Sequence, residues 1–392
     1  MPGTSAIYKG PPVSFAHCRQ RLELLCEFRS GQLSDAADSS TIMDTRKPQT
    51  QECLFQETHH NSIIRVASYH RKDFELAVVR INPHDHERIH TSILQPTRAP
   101  AASLGRLDIL PLEILHEICQ LLDIESLFRF RQINLRAQEV VYAIRIYRII
   151  IICALETLCV SLRTQIASWF TLCDLFDVLC ARDCLLCGSF GGFIFLPTFT
   201  RCCFPCIKTA PQFRLVSLSD VKRHLKLSPA LLRNLVPVLK TIPGIYSMDE
   251  IPRKRRIQIL AEEDVIRAME YLYTRETEVP LHCSNGEMSL LRYMATTALP
   301  FFDKASGDAD NGICCKGCQI ALEECLRTSR VQDNAFLMRD RVYSRDRFME
   351  HFQRCSKAQF LWETSNEGTV PVKVPESIRR GGYFNERDVV IS

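Results

Sequence analysis

Cys184-Leu185-Leu186-Cys187-Gly188, followed by Arg201-Cys202-Cys203-Phe204-Pro205-Cys206, is the stretch around which the rest of the chain is organised. Two C-x2-C turns separated by fifteen residues match the spacing of a four-thiolate zinc site. Zinc takes four soft ligands in a tetrahedron, and each turn offers two sulfurs from one tight bend. Gly188 suits that bend, because the backbone there must enter left-handed space and aim amides at sulfur. The expected ligands are Cys184, Cys187, Cys203 and Cys206. Cys202-x3-Cys206 is the competing register; Cys203 is preferred because it restores the symmetric spacing. Between the pairs, Gly191-Gly192-Phe193-Ile194-Phe195-Leu196-Pro197 reads as a short strand entered by a glycine turn, which makes the unit zinc-ribbon-like. Its aromatics are expected to roof the metal and plug into the preceding helix rather than stack on bases.

A chain of 392 residues is long enough for two or three units with real cores. Its 46 % hydrophobic and 24 % charged residues are ordinary for a soluble protein, and a net charge of +4 makes no case for a nucleic-acid partner. Nineteen cysteines are many and odd in number. The first residues carry no apolar signal segment, so the expected setting is intracellular, cytoplasmic or nuclear, where paired cysteines point to metal rather than disulfides. The most apolar run, Ile149 to Leu155, is far short of the ~20 residues of a membrane helix. No membrane association is expected.

Residues 1–103 lack sustained periodicity and read as a poorly ordered extension. His84, His86 and His90 fall there as part of a polar tail, beside the scattered Cys18, Cys26 and Cys53. Short patches at Ile63-Ile64 and Leu76–Val79 suggest local structure only. At Leu104 the texture changes. Leu110, Ile114, Ile118 and Leu122 recur at four-residue spacing, widened by Leu115 and Leu121, with Pro111 at the first helical position. Asp123 is the expected N-cap of a second helix carrying Leu127, Phe130, Ile133 and Ala137, and a third runs through Val140, Val141, Ile144 and Tyr147.

The run Leu107-Asp108-Ile109-Leu110-Pro111-Leu112-Glu113-Ile114-Leu115, continuing to Leu127-Phe128-Arg129-Phe130-Arg131-Gln132-Ile133-Asn134, resembles an F-box. Arg136-Ala137-Gln138 stands where many F-boxes carry a tryptophan. The resemblance implies a three-helix element at 104–148 that docks onto the small adaptor subunit of an SCF-type cullin–RING ubiquitin ligase. It assigns the docking role to Leu110, Pro111, Ile114, Leu115 and Ile118, and leaves the remainder of the chain to present a surface to an unknown protein substrate.

A connecting helix is expected over 149–180, the four-cysteine module over 181–210 and a helical domain over 211–302. In that domain Ser217 or Ser219 caps one helix and Ser228-Pro229 starts another. The four-cysteine unit with this helix pair loosely resembles the zinc module of xeroderma group A repair proteins. The basic run Arg253-Lys254-Arg255-Arg256 reads as a solvated helix start, with phosphate contact as its functional alternative. A polar loop at 303–312 precedes a module at 313–385. There Cys315, Cys318, His351 and Cys355 form a candidate Cys3His set, with His351 and Cys355 at i, i+4 on one helix and Cys314 as the alternate first ligand. The tail Arg379–Asn385 is expected to pack back onto the domain.

The fold class expected is therefore mainly α, with a small ribbon-like β element and two structural zinc units. Together the parts resemble a group of fungal F-box proteins. No nucleophile with its base, Walker loop or dinucleotide fingerprint is present, and both metal sets would be closed by four protein ligands. The chain reads as a non-enzyme.

Overall fold

Asp123 accepts a hydrogen bond from the Ser126 amide and so starts the helix Ile124–Arg131; Asn134 does the same for Leu135–Ala143 through the Ala137 amide. Pro111 sits one place earlier than expected, as the N-cap residue of Leu112–Leu121 rather than inside it. These helices and Arg145–Cys153 pack on one another, and Leu115, Ile124, Leu127, Val140, Val141, Tyr147 and Ile150 enter the main core. The structure, a computed structural model, describes residues 59–81, 93, 99–225, 229–273, 285–328 and 333–382. The histidines and cysteines noted between 1 and 58 and between 82 and 90, and residues 383–385, lie outside these. Among the described residues no helix is long and apolar enough to cross a membrane. Among these residues the fold is mainly helical, with five small sheets.

Three expected boundaries are corrected. The connecting segment 149–180 is not one helix. Arg145–Cys153 stops at Ala154, Leu155–Arg163 follows, and Gln165 takes the left-handed conformation (φ 64°) before a 3-10 turn. Leu172–Cys180 then starts afresh under a capping box of Thr171 and Asp174. A side chain at positive φ and a non-helical Ala154 mark turns that apolar spacing alone does not reveal.

The segment 211–302 is mixed rather than helical. Strands Leu215–Ser217, Gln258–Ala261 and Leu239–Lys240 form an antiparallel sheet in which Gln258–Ala261 is central. Helices Leu218–Leu225, Pro229–Leu235 and Glu262–Tyr273 close over its Val216 and Leu260 face. Ser217 is the cap of the first helix, accepting from the Asp220 amide. The basic run starts no helix: Arg253 ends the hairpin strand Ile251–Arg253, and the next three residues are an exposed link to Gln258. Strands of two to four residues are too short to show a period of two.

The boundary at residue 103 does not hold either. The helix His60–Ala67, strand Ser68–Tyr69 and helix Lys72–Leu76 are built into the fold, with Ile63 and Val79 at 0 % exposure. Ser68–Tyr69 pairs antiparallel with Cys314–Cys315, and the Val79 amide donates to the Thr296 carbonyl. Arg71 and Asp73 form a buried two-pronged ion pair at 2.7 and 2.6 Å. Arg71 also reaches Asp340 at 3.1 Å and lies 3.8 Å over the Phe74 ring, which stacks on Phe204. Gly382, at φ +97°, closes over this pair, and Gly381 accepts from the Asp73 amide, so the described part of the tail does pack back.

Candidate metal centres and docking face

The first centre is built on a hairpin. Phe193–Phe195 and Thr200–Cys202 pair antiparallel, and Thr296–Ala298 adds a third strand from a hundred residues downstream. Alternation along Thr200–Cys202 buries Cys202 in the core at 0 % exposure. Cys203 then leaves the strand as the residue capping the helix Phe204–Thr209. The preferred register thus has a cause in the pleat. On the other arm the Gly188 amide donates to the Cys184 carbonyl with Gly188 at φ +66°, the left-handed bend expected of it. The buried Arg201 fastens the two arms: Nε donates to the Gly191 carbonyl at 2.6 Å, and Nη1 to those of Val178 and Pro300. Phe193 and Phe195 are buried among core residues, as expected of a roof rather than a stacking platform.

Cys184, Cys187, Cys203 and Cys206 present four sulfurs within 4.8 Å of one another, with Cys187 to Cys203 at 3.5 Å. A tetrahedron with Zn–S near 2.3 Å has edges of about 3.8 Å, whereas a disulfide would need ~2.05 Å. All four are free thiols. Without an ion, sulfurs this close cannot all carry charge. A hydrogen bond from Cys203 holds the Cys184 thiol down at about 4, while that bond and burial push Cys203 up. A divalent cation removes the conflict by replacing the shared protons.

The second centre draws on three separated segments. Cys315 ends the strand paired with Ser68–Tyr69 and caps the helix Lys316–Arg327, whose first turn carries Cys318. His351 lies on the helix Arg345–Phe352, which ends there; Cys355 caps the next helix, Ser356–Thr364. The expectation that His351 and Cys355 share one helix is therefore corrected, although the turn between the helices still brings them together. Cys315 and Cys355 sulfurs are 3.7 Å apart, and Cys318 is 3.4 Å from His351 Nε2. All four ligand atoms again lie within 4.8 Å. His351 Nδ1 faces the buried Tyr343 hydroxyl at 3.2 Å. With Nε2 on a metal, Nδ1 carries the proton and donates it to that oxygen, which fixes the ring. Hydrogen bonding from Cys315 pulls the Cys355 thiol well below the ordinary range, and bonds with Cys318 and Cys355 push Cys315 up. Cys314 points elsewhere, into a small cluster with Tyr69 and Ile378.

Arg347, one turn before His351, joins the two centres: its guanidinium forks onto Asp183 at 2.9 Å twice and onto the Gly188 carbonyl at 3.0 Å. Sequence reading missed this residue, and no local pattern marks it. It missed Gly317 too. A Cβ there would lie 2.5 Å from the Ala358 nitrogen and 2.9 Å from the Lys357 carbonyl carbon, both backbone atoms. Gly317→Ala should force the Cys315–Cys318 turn away from Cys355. A competitive chelator titration of the full chain should show about 10–100-fold weaker zinc at the second centre only.

The stripe expected to dock lies on the outer side of Leu112–Leu121. Leu110, Pro111, Ile114 and Ile118 are exposed there, Ile118 at 42 %, beside Leu112 and Leu121. Leu115 is not part of it: at 3 % exposure it turns inward with Cys119. The expected stripe is two stripes, and only one faces out.

A family model for the F-box domain matches residues 107–148, the segment that carries this face. Such a domain supports, in general terms, an adaptor role of the SCF ligase type. No curated protein and no solved structure matches the chain.

Proposed function

We propose that this chain is an F-box adaptor. The Leu110–Ile118 face docks onto the small adaptor subunit of an SCF-type cullin–RING ligase, in the cytoplasm or nucleus, and the rest presents a substrate. Zinc at Cys184/Cys187/Cys203/Cys206 and at Cys315/Cys318/His351/Cys355 is structural in this reading, because four protein ligands leave no open position for chemistry.

The observation that carries the proposal is the outward apolar stripe inside the matched domain. A core-facing helix would hide Ile114 and Ile118 as it hides Leu115. Burying each is worth ~1.5–3 kcal/mol before association costs. Ile114→Ala with Ile118→Ala should therefore weaken capture of the ligase adaptor by about a hundredfold or more. The helical signal and melting temperature should not change, since both side chains lie outside the core. Co-purification beside the unaltered chain is the check; equal capture by both, or capture by neither, would refute the docking role.

A further inference from the structure

The run Arg253–Arg256 is taken up by neither the metal centres nor the docking face. Residues 248–257 are exposed throughout, and Arg253, Lys254, Arg255 and Arg256 make no ion pair among the described residues. The next residue, Ile257, lines a cleft of about 310 Å³ together with Leu218, Ser219, Lys222, Arg233 and Gln258. Arg233 is held by a bond from one nitrogen to Gln258 Oε1 at 3.1 Å and has no carboxylate partner among the described residues. Lys222 has no carboxylate partner among the described residues.

Most carboxylates of the same elements are occupied, the exposed Glu270 excepted. Asp220 takes Ser217 and Arg223, Glu262 lies near Arg214, and Glu263 and Asp264 meet Arg267. Asp249 accepts from Ser247 at 3.4 Å in the hairpin turn, and Glu250 stands exposed in the same turn. Unpaired cations thus outnumber unpaired anions here, in a chain whose net charge is only +4. Aliphatic groups are interspersed: Ile245, Met248, Ile251 and Ile257 are all exposed, whereas the hairpin's one aromatic, Tyr246, is buried. A single strand of nucleic acid would be held by exposed aromatics. A peptide with acidic and aliphatic side chains matches both kinds of group.

We propose that this surface binds an acidic, aliphatic-flanked peptide segment of a partner protein, with a carboxylate seated between Lys222 and Arg233. Only the description of that peptide as part of a ligase substrate rests on the adaptor reading; the binding itself does not.

The test is fluorescence anisotropy on the zinc-loaded full chain, with no ligase subunit present. The probes are a labelled Glu/Leu peptide, its Gln/Leu counterpart, a version with phosphoserine replacing Glu, and a single-stranded oligonucleotide. The Glu peptide should bind at least tenfold tighter than the Gln peptide and weaken as salt rises. Lys222→Glu with Arg233→Glu, and separately Arg255→Glu with Arg256→Glu, should each lower its affinity by about tenfold or more. All four side chains are exposed, so both variants should keep the parent melting temperature. Equal affinity for the Glu and Gln peptides, or no effect of either variant, would overturn the proposal. So would binding of the phosphoserine peptide alone, or tighter binding of the oligonucleotide. Loss of ligase capture in the docking variant would leave this result untouched.

Discussion

Isolated without a metal-binding tag, the protein is expected to carry two zinc ions per chain, and a strong chelator at neutral pH should unfold the regions around both. Structural zinc contributes about 10–16 kcal/mol of apparent binding free energy in small finger peptides. A whole domain is stable by only ~5–15 kcal/mol, so loss of either ion removes more than its surroundings can spare. Each centre also gathers residues from separated parts of the chain. The first holds the Cys184–Gly188 turn to the hairpin, and the second holds three segments from 315 to 355. Cys203→Ser and Cys355→Ser should each reduce the stoichiometry to one, read by metal analysis of the purified chain. Acid should act like the chelator, because thiolates are the ligands and protons compete for them; metal is retained at neutral pH and released as pH falls. A metal-free chain with an unaltered melting curve would end the zinc reading.

The second large effect is expected at Arg71. Its guanidinium and the Asp73 carboxylate are 2 % and 3 % exposed, so neither has water to fall back on. Arg71→Met would leave Asp73 buried with the Phe74 amide, at 3.0 Å, as the remaining donor to its side chain among the described residues. Breaking such a pair from one side costs about 3–5 kcal/mol, whereas replacing both partners by apolar groups is often neutral. The urea midpoint of Arg71→Met should therefore fall sharply, and Arg71→Met with Asp73→Leu should recover much of it. Asp340→Asn should cost less, since that carboxylate is 26 % exposed and meets Arg71 by a single contact. Equal losses in the single and double variants would show that Arg71 acts through packing over Phe74 and not through its charge.

The ligands of both centres were legible because metal spacing is a local code. Four residues of the right type at two turns leave few registers, and strand alternation at Cys202 decides between the last two. The helix Leu112–Leu121 was legible in position but not in orientation. Ile114/Ile118 and Leu115/Cys119 are both i, i+4 pairs about 100° apart, and spacing cannot say which pair meets the core. The role of residues 59–81 was not legible at all. Their strand is two residues long, and its partner lies in another part of the chain. Arg347 and Gly317 escaped for the same reason: what each does is set by a contact across the fold.

The pairing of Ser68–Tyr69 with Cys314–Cys315 also bears on how the protein is made. Lys316 donates to the Val66 carbonyl across 250 positions of sequence, and Tyr69 reaches Gln319 over the same span. At ribosomal rates of ~5–20 residues per second, the early strand waits roughly 12–50 s for its partner to be synthesised. During that wait its unpaired edge and the apolar Ile63, whose core partners lie mostly at 315 and beyond, have no native cover. Closure of the second knuckle onto a segment translated long before is therefore a late event of synthesis.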